Sequence, residues 1–103
     1  MAQIVWAEPA LSDLYAIAEY IALDKVAAAK YLVEKVFSGI ERLEGFPGAG
    51  CIPPDLENST RYRELIVGPC RVFYRCDQSI VFILHVMRSE RELRKYLLDD
   101  RTL

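Results

Sequence analysis

The stretch "RYRELIVGPCRVFYRCDQSIVFILHVM" (residues 61–87) decides the predicted fold, because it contains three consecutive strand patterns. The three runs span about 61–67, 70–77 and 80–87, and they are separated by Gly68-Pro69 and by Asp77-Gln78-Ser79. Connections this short join antiparallel neighbours, so the stretch predicts a three-stranded antiparallel meander. The third run is apolar at nearly every position, as expected of a central strand buried on both faces.

Side-chain alternation divides the middle strand of this meander between two faces. One face carries Arg71, Phe73 and Arg75, and the other carries Cys70, Val72, Tyr74 and Cys76. The first face is therefore rich in arginine. Residues 61–76 alone hold four of the chain's nine arginines.

The sequence before the meander predicts one strand and two helices. "QIVWA" (3–7) is rich in β-forming residues, and Pro9 suits the first turn of a helix. The first helix has an apolar stripe of Leu11, Leu14, Tyr15, Ala18, Ile21 and Ala22. Asp24 is expected to cap a second helix, with a stripe of Val26, Ala29, Val33, Val36, Phe37, Ile40 and Leu43, that ends at Gly45 and Pro47. The short connection predicts an antiparallel αα-hairpin.

Two segments complete the expected architecture. Residues 45–60 hold three of the five prolines and three of the five glycines, and we interpret them as a crossover from the hairpin to the sheet rather than as a functional loop. "RSERELRKYLLDD" (88–100) predicts a short C-terminal helix. The expected fold class is α+β, with a single domain over residues 1–103.

Composition excludes several classes of protein. The N-terminus has no basic region, and Glu8, Pro9 and Asp13 interrupt its apolar residues, so we expect no secretory signal. No apolar run approaches the roughly 20 residues that cross a bilayer, and we expect a cytoplasmic protein without membrane association. Three cysteines without CxxC or Cys/His spacing predict neither disulfides nor a metal site, and no cofactor motif is present.

The net charge of −2 hides an asymmetry between the two parts of the chain. Residues 1–60 carry a net charge of −5, whereas residues 61–103 carry +3, and Lys95 is the only lysine in the second part. Arginine is preferred over lysine where carboxylate or phosphate groups are bound in a fixed geometry. The arginines therefore indicate an anionic ligand or partner.

The candidate binding residues for such a ligand come from the strands and from the C-terminal helix. They are Arg61, Arg63, Arg71, Arg75, Arg88, Arg91 and Lys95. The alternative is a solvated sheet face with salt bridges to Glu64, Glu90 and Glu92. His85 and Tyr96 are candidate acid/base residues, although a lone histidine within a strand and an aromatic residue on a terminal helix more often serve packing.

The ordered segments resemble the RelE/ParE superfamily of bacterial toxins from type II toxin–antitoxin pairs. The resemblance covers nearly the whole chain and rests on "WAEPALSDLYAIAEYI" (6–21), "RLEGFPGAG" (42–50), "YRELIVGPCRVFYR" (62–75) and "IVFILHVMRSERELRKYL" (80–97). It implies a toxin that a cognate ParD-like or RelB-like antitoxin neutralises. The ParE branch is understood to poison DNA gyrase without catalysing a reaction, whereas the RelE branch cleaves mRNA in the ribosome.

Carried over residue by residue, the resemblance gives a ribonuclease set of Arg63, Arg71, His85, Arg88 and Tyr96. Leu65 stands at the second position of the RelE-type basic pair, and Tyr96 is displaced by about two residues from the expected aromatic. These departures and the long hairpin favour a ParE-like gyrase inhibitor. A ribosome-dependent endoribonuclease is the alternative, and a non-toxic RNA-binding or scaffold domain is a third possibility.

The resemblance also implies how an antitoxin would bind. We expect its apolar residues to contact the hairpin and its acidic segment to lie along the arginines. The expected apolar contacts are Leu14, Ile21, Val33 and Phe37.

Overall fold

The computed structural model describes residues 1–56, 61–89 and 95–101, and it confirms the α+β class. Strand β1 (Gln3–Trp6) is followed by helices α1 (Glu8–Ala22) and α2 (Val26–Glu41). Short 3₁₀ turns occupy Arg42–Glu44 and Pro54–Leu56. The chain then forms strands β2 (Arg63–Val67), β3 (Cys70–Asp77) and β4 (Ile80–Arg88), and helix α3 (Lys95–Arg101).

The strands form one four-stranded sheet in the order β1-β4-β3-β2. The meander of β2, β3 and β4 is antiparallel, as predicted, and β1 adds to it in parallel beside β4. Parallel neighbours need a long crossover connection, which the hairpin of α1 and α2 begins. β4 therefore has a neighbour on each side and a buried central segment, which confirms the prediction of a central strand.

The two helices begin and end close to the predicted residues, with one error at the start of α2. Pro9 lies in the first turn of α1, as expected. Asp24 does not cap α2: Lys25 occupies the N-cap position, and no side chain makes a capping hydrogen bond there. Residues 23–25 connect the two helices, a connection as short as predicted. Within the described ranges, no helix has the length and apolar character needed to span a membrane.

The buried apolar side chains of the described residues form two clusters, one on each face of the sheet. The first packs the helices against the sheet and includes Leu14, Val36, Ile40, Val72, Tyr74 and Ile83. The second lies on the opposite face and consists of Leu56, Tyr62, Phe73, Leu84, Met87 and Leu98. Neighbouring residues of β3 therefore enter different clusters, which confirms the predicted alternation along that strand.

A register shift interrupts the pairing of β3 with β4. Phe73 pairs with His85 and Tyr74 pairs with Ile83, so Leu84 is an extra residue without a partner in β3. On the other side of β4, the pairing with β1 ends at Trp6 and Ile83. A bulge of this kind leaves backbone groups outside the regular ladder, and other parts of the chain must satisfy them.

The segment after α2 is tied back onto the sheet around Gly50. Cys51 exchanges backbone hydrogen bonds with Glu64 in an antiparallel bridge beside β2. The Gly50 amide donates to the Tyr74 hydroxyl at 2.9 Å, and this hydroxyl donates to the Pro47 carbonyl oxygen, also at 2.9 Å. The crossover therefore covers the edge of β2 on its way to that strand.

Candidate functional site

Arg71 lies in a buried cluster of opposite charges. Its Nη2 atom is 2.5 Å from Asp55 Oδ1 and 2.8 Å from Glu64 Oε2, and its guanidinium group lies 4.9 Å from the ring centre of Phe73. Burial opposes the charge on Arg71, but the hydrogen bonds with both carboxylates outweigh it and raise the pKa of this residue above its usual value. The ion pair with Glu64 belongs to the alternative interpretation, although it is buried rather than solvated, and an external anion would have to displace these carboxylates.

Arg75 is also buried, on the same face of β3. Its Nη1 atom lies 3.1 Å from Asp77 Oδ2, and its guanidinium group lies 4.7 Å from the ring centre of Phe82. Arg71 and Arg75 lie on one face of β3, as the alternation of side chains predicts. The side chains do not form an open basic surface, however, because each contacts a carboxylate and an aromatic ring of the chain itself.

The three other described candidate arginines are more accessible. Arg61 is exposed, with its guanidinium group 5.6 Å from the ring centre of Tyr62. Arg63 is half-buried and donates from Nη1 to the Gly50 carbonyl oxygen at 2.9 Å, and Arg88 is half-buried with its guanidinium group 5.8 Å from the Tyr20 ring. The predicted Arg91 and the side chains of Lys95 and Tyr96 lie outside the described residues.

His85 belongs to a polar network that joins α1, β4 and α3. Its Nδ1 atom lies 2.7 Å from Asp13 Oδ2 and 2.7 Å from Arg101 Nη1, and its ring stacks on Phe73 with centres 5.9 Å apart. Only 9 % of His85 is exposed, which fits a packed strand residue better than an acid/base catalyst. In the described ranges, no three His, Cys, Asp or Glu side chains converge to hold a metal ion.

Asp13 and Arg101 also replace the missing ladder partners at the bulge. Asp13 Oδ2 accepts a hydrogen bond from the Val86 amide at 3.2 Å, and Arg101 Nη1 donates to the Leu84 carbonyl oxygen at 3.0 Å. The two side chains also form an ion pair at 2.6 Å. Sequence reasoning did not identify either residue, because they are far apart in the chain and no motif links them. Their arrangement serves to dock α3 at the open edge of β4.

This network predicts a loss of stability in acid. Burial raises the pKa of Asp13, but hydrogen bonds from His85, Arg101 and the Val86 amide outweigh this and lower it below the usual 3.8. A lowered folded-state pKa adds stability that is complete above 3.8 and is lost as the pH falls through the folded-state value. Urea unfolding between pH 7 and pH 2 is therefore expected to show a stability advantage over Asp13→Asn that shrinks below about pH 4. An advantage that stayed constant across this range would contradict the role of the Asp13 charge.

The outer side of the αα-hairpin carries an apolar groove of about 470 Å³. Its apolar lining consists of Tyr15, Ala18, Ala22, Val26, Ala29 and Val33. Glu19, Lys30 and Glu34 also line it. Tyr15 and Val26 are 50 % and 63 % exposed, so the groove offers apolar surface to a partner.

The predicted apolar contacts of the hairpin differ in their access to this groove. Val33 lines it directly. Ile21 and Phe37 are half-buried and pack against the core, where Phe37 also contacts Trp6 with ring centres 5.2 Å apart. Leu14 is fully buried, so the structure leaves it no surface with which to contact a partner. The apolar stripes predicted the two helices correctly. They did not distinguish the apolar residues that face the core from those on the outer side of the hairpin.

Comparison with known proteins places this architecture in a family. The family model described as the ParE toxin of the type II toxin–antitoxin system parDE matches residues 4–93. Among solved structures, a chain of the "Chromosomal ParDE TA system from P. aeruginosa" superposes with a TM-score of 0.71 at 24 % identity, covering 87 % of this chain and 98 % of that one. Curated proteins gave no match. The family match covers most of the sequence, and this chain therefore belongs to the ParE toxin family of type II toxin–antitoxin systems.

Proposed function

We propose that this ParE-family toxin inhibits DNA gyrase by binding, without catalysing a reaction itself, and that a cognate ParD-like antitoxin neutralises it. The observation that carries the proposal is the engagement of Arg71. This residue corresponds to the strand arginine of the ribonuclease branch, yet it forms ion pairs with Asp55 and Glu64 and is only 8 % exposed. A guanidinium group committed to two internal carboxylates is poorly suited to stabilise a phosphate in a transition state.

His85, the second residue of the ribonuclease alternative, likewise contacts other side chains of the protein. Cleavage of RNA by its 2′-hydroxyl requires a base within hydrogen-bond reach of that group. The Nδ1 atom of His85 instead lies between Asp13 and Arg101, and the ring is stacked on Phe73. Among the acid/base candidates, His85 is the one whose side chain is described, and its imidazole is held in a structural network. The contacts of Arg71 and His85 therefore fit a protein that binds its target better than one that cleaves RNA.

The hairpin groove supports the antitoxin part of the proposal. An amphipathic antitoxin helix can place apolar residues at positions i, i+3 and i+4 against Val26, Ala29 and Val33. Acidic residues beyond that helix would meet the more accessible arginines, Arg61 and Arg88. An antitoxin of this kind would cover both apolar and basic surface, which explains why its binding would neutralise the toxin.

Expression in growing bacterial cells tests the proposal by showing whether DNA synthesis or protein synthesis falls first. We expect incorporation of labelled thymidine to fall before incorporation of labelled methionine, because gyrase supports replication directly. Co-expression of the antitoxin encoded beside the toxin is expected to restore both rates. A fall in methionine incorporation first, accompanied by cleaved mRNA, would reject gyrase as the target and favour the ribonuclease.

A further inference from the structure

Three charged side chains lie among the apolar residues of the hairpin groove. Glu19 belongs to α1, whereas Lys30 and Glu34 belong to α2, and all three are exposed. Lys30 and Glu34 have the four-residue spacing at which opposite charges on one helix can pair. Among the residues that the structure describes, however, none of the three forms an ion pair. These charges therefore remain available to a helix that binds in the groove.

The course of the two helices fixes where each charge lies along the groove. Glu19 and Lys30 lie at similar distances from the turn between α1 and α2, so they are on opposite sides of the groove at nearly the same height. Glu34 lies on the same side as Lys30, one helical turn or about 6 Å farther from that turn. The α2 side of the groove thus carries a positive and then a negative charge, and the α1 side carries a negative charge.

We propose that the antitoxin helix in this groove carries a carboxylate opposite Lys30 and a basic residue opposite Glu34, one helical turn apart on the same flank. A second basic residue, on the other flank of the antitoxin helix, lies opposite Glu19. The inference rests on the proposed function, because it takes the antitoxin as the occupant of the groove. It adds the chemistry and the spacing of the partner's charged residues, which apolar contacts alone do not specify.

The apolar lining explains why the partner has to supply these charges. A helix that covers Ala22, Val26 and Ala29 also displaces water from the neighbouring charged groups, and charged groups without hydration are costly. A partner charge of opposite sign compensates for this loss, whereas a like charge increases it. A helix with the same apolar face and the reverse charges is therefore bound more weakly. The three charges thus select among antitoxins whose apolar residues would all fit.

Calorimetric titration of the purified chain with the antitoxin encoded beside it tests the inference through charge reversal. Lys30→Glu and Glu34→Lys are each expected to raise the dissociation constant about tenfold, because each replaces an attractive pair by a repulsive one. Lys35→Glu and Glu41→Lys make the same changes of charge at exposed positions of α2 outside the groove lining. These matched controls are expected to bind as the wild-type chain does, and thermal unfolding verifies that each variant is folded.

A selection for compensating antitoxin variants tests the predicted spacing. A library of antitoxin variants displayed on yeast is selected for binding to purified Lys30→Glu toxin and, separately, to purified Glu34→Lys toxin. We expect a change from Asp or Glu to Lys or Arg in the first selection and the opposite change in the second. The two antitoxin positions are expected to be three or four residues apart, since they face residues one helical turn apart on α2. Each compensating antitoxin should bind its toxin variant more tightly than the wild-type chain.

Two outcomes would overturn the inference and leave the proposed function intact. Equal affinity of the antitoxin for the wild-type chain and for both reversed variants would show that the groove charges do not select the partner. Compensating positions separated by more than one helical turn would show that the antitoxin helix does not lie along α2. An antitoxin that does not bind the wild-type chain at all would instead reject the antitoxin part of the proposed function, and this inference with it.

Discussion

Replacement of Arg71 by methionine is expected to lower the free energy of unfolding by about 3 kcal/mol, the cost of breaking a buried ion pair by removing one partner. Methionine preserves much of the side-chain volume over Phe73 but leaves Asp55 and Glu64 facing each other without a cation. The exposed fractions of these two carboxylate side chains are only 18 % and 9 %, so water cannot replace the lost interactions fully. Urea denaturation at pH 7 measures the effect.

Two variants separate charge from packing in this experiment. The triple variant Arg71→Met, Asp55→Asn and Glu64→Gln removes all three charges together, and we expect it to recover most of the lost stability. Arg42→Met, at an exposed position, is the matched control and is expected to change stability by no more than about 0.5 kcal/mol. An Arg71→Met variant as stable as the control would show that the cluster contributes nothing to the fold.

Substitution of Gly50 by alanine is expected to have an effect of similar size, about 3 kcal/mol, for a steric reason. A Cβ atom at this position would lie 2.5 Å from the Glu64 carbonyl oxygen and 2.7 Å from the Tyr74 hydroxyl oxygen. Both atoms are fixed, the first by its position in the backbone and the second by its hydrogen bonds to Gly50 and Pro47. The segment that crosses to β2 would have to move away from the strand.

The matched control for this prediction is Gly48→Ala. Beyond its own residue and its two chain neighbours, a Cβ atom at Gly48 would meet no atom within 4 Å, so we expect this variant to unfold at nearly the wild-type temperature. Thermal unfolding followed by circular dichroism compares the two. Equal melting temperatures for both variants would mean that the close approach at Gly50 relaxes at little cost.

Most of the fold could be predicted from local patterns in the sequence. The strand runs and their turn residues gave the meander, and the apolar stripes gave the hairpin, because both depend on periodicities of a few residues. The parallel pairing of β1 with β4 and the bulge at Leu84 could not be predicted in this way. They depend on contacts between residues that are far apart in sequence.

The candidate site was predicted less completely, for a related reason. The positions of Arg71 and Arg75 on one face follow from strand alternation, but their burial depends on what covers that face. Asp55 lies in the crossover segment, and no periodicity indicates that it reaches Arg71. In the same way, the structural role of His85 depends on Asp13 and Arg101, which are 72 and 16 residues away in sequence.

Parallel assays on purified components test the central claim that this toxin acts on gyrase without cleaving RNA. Increasing amounts of the chain are added to gyrase with relaxed plasmid and, separately, to translating ribosomes with end-labelled mRNA. The charge-neutral triple variant at Arg71, Asp55 and Glu64 is assayed beside the wild-type chain. We expect both proteins to inhibit supercoiling and to leave the mRNA intact. Cleaved mRNA with unaffected supercoiling, lost when Arg71 is replaced, would contradict the claim and assign Arg71 a catalytic role.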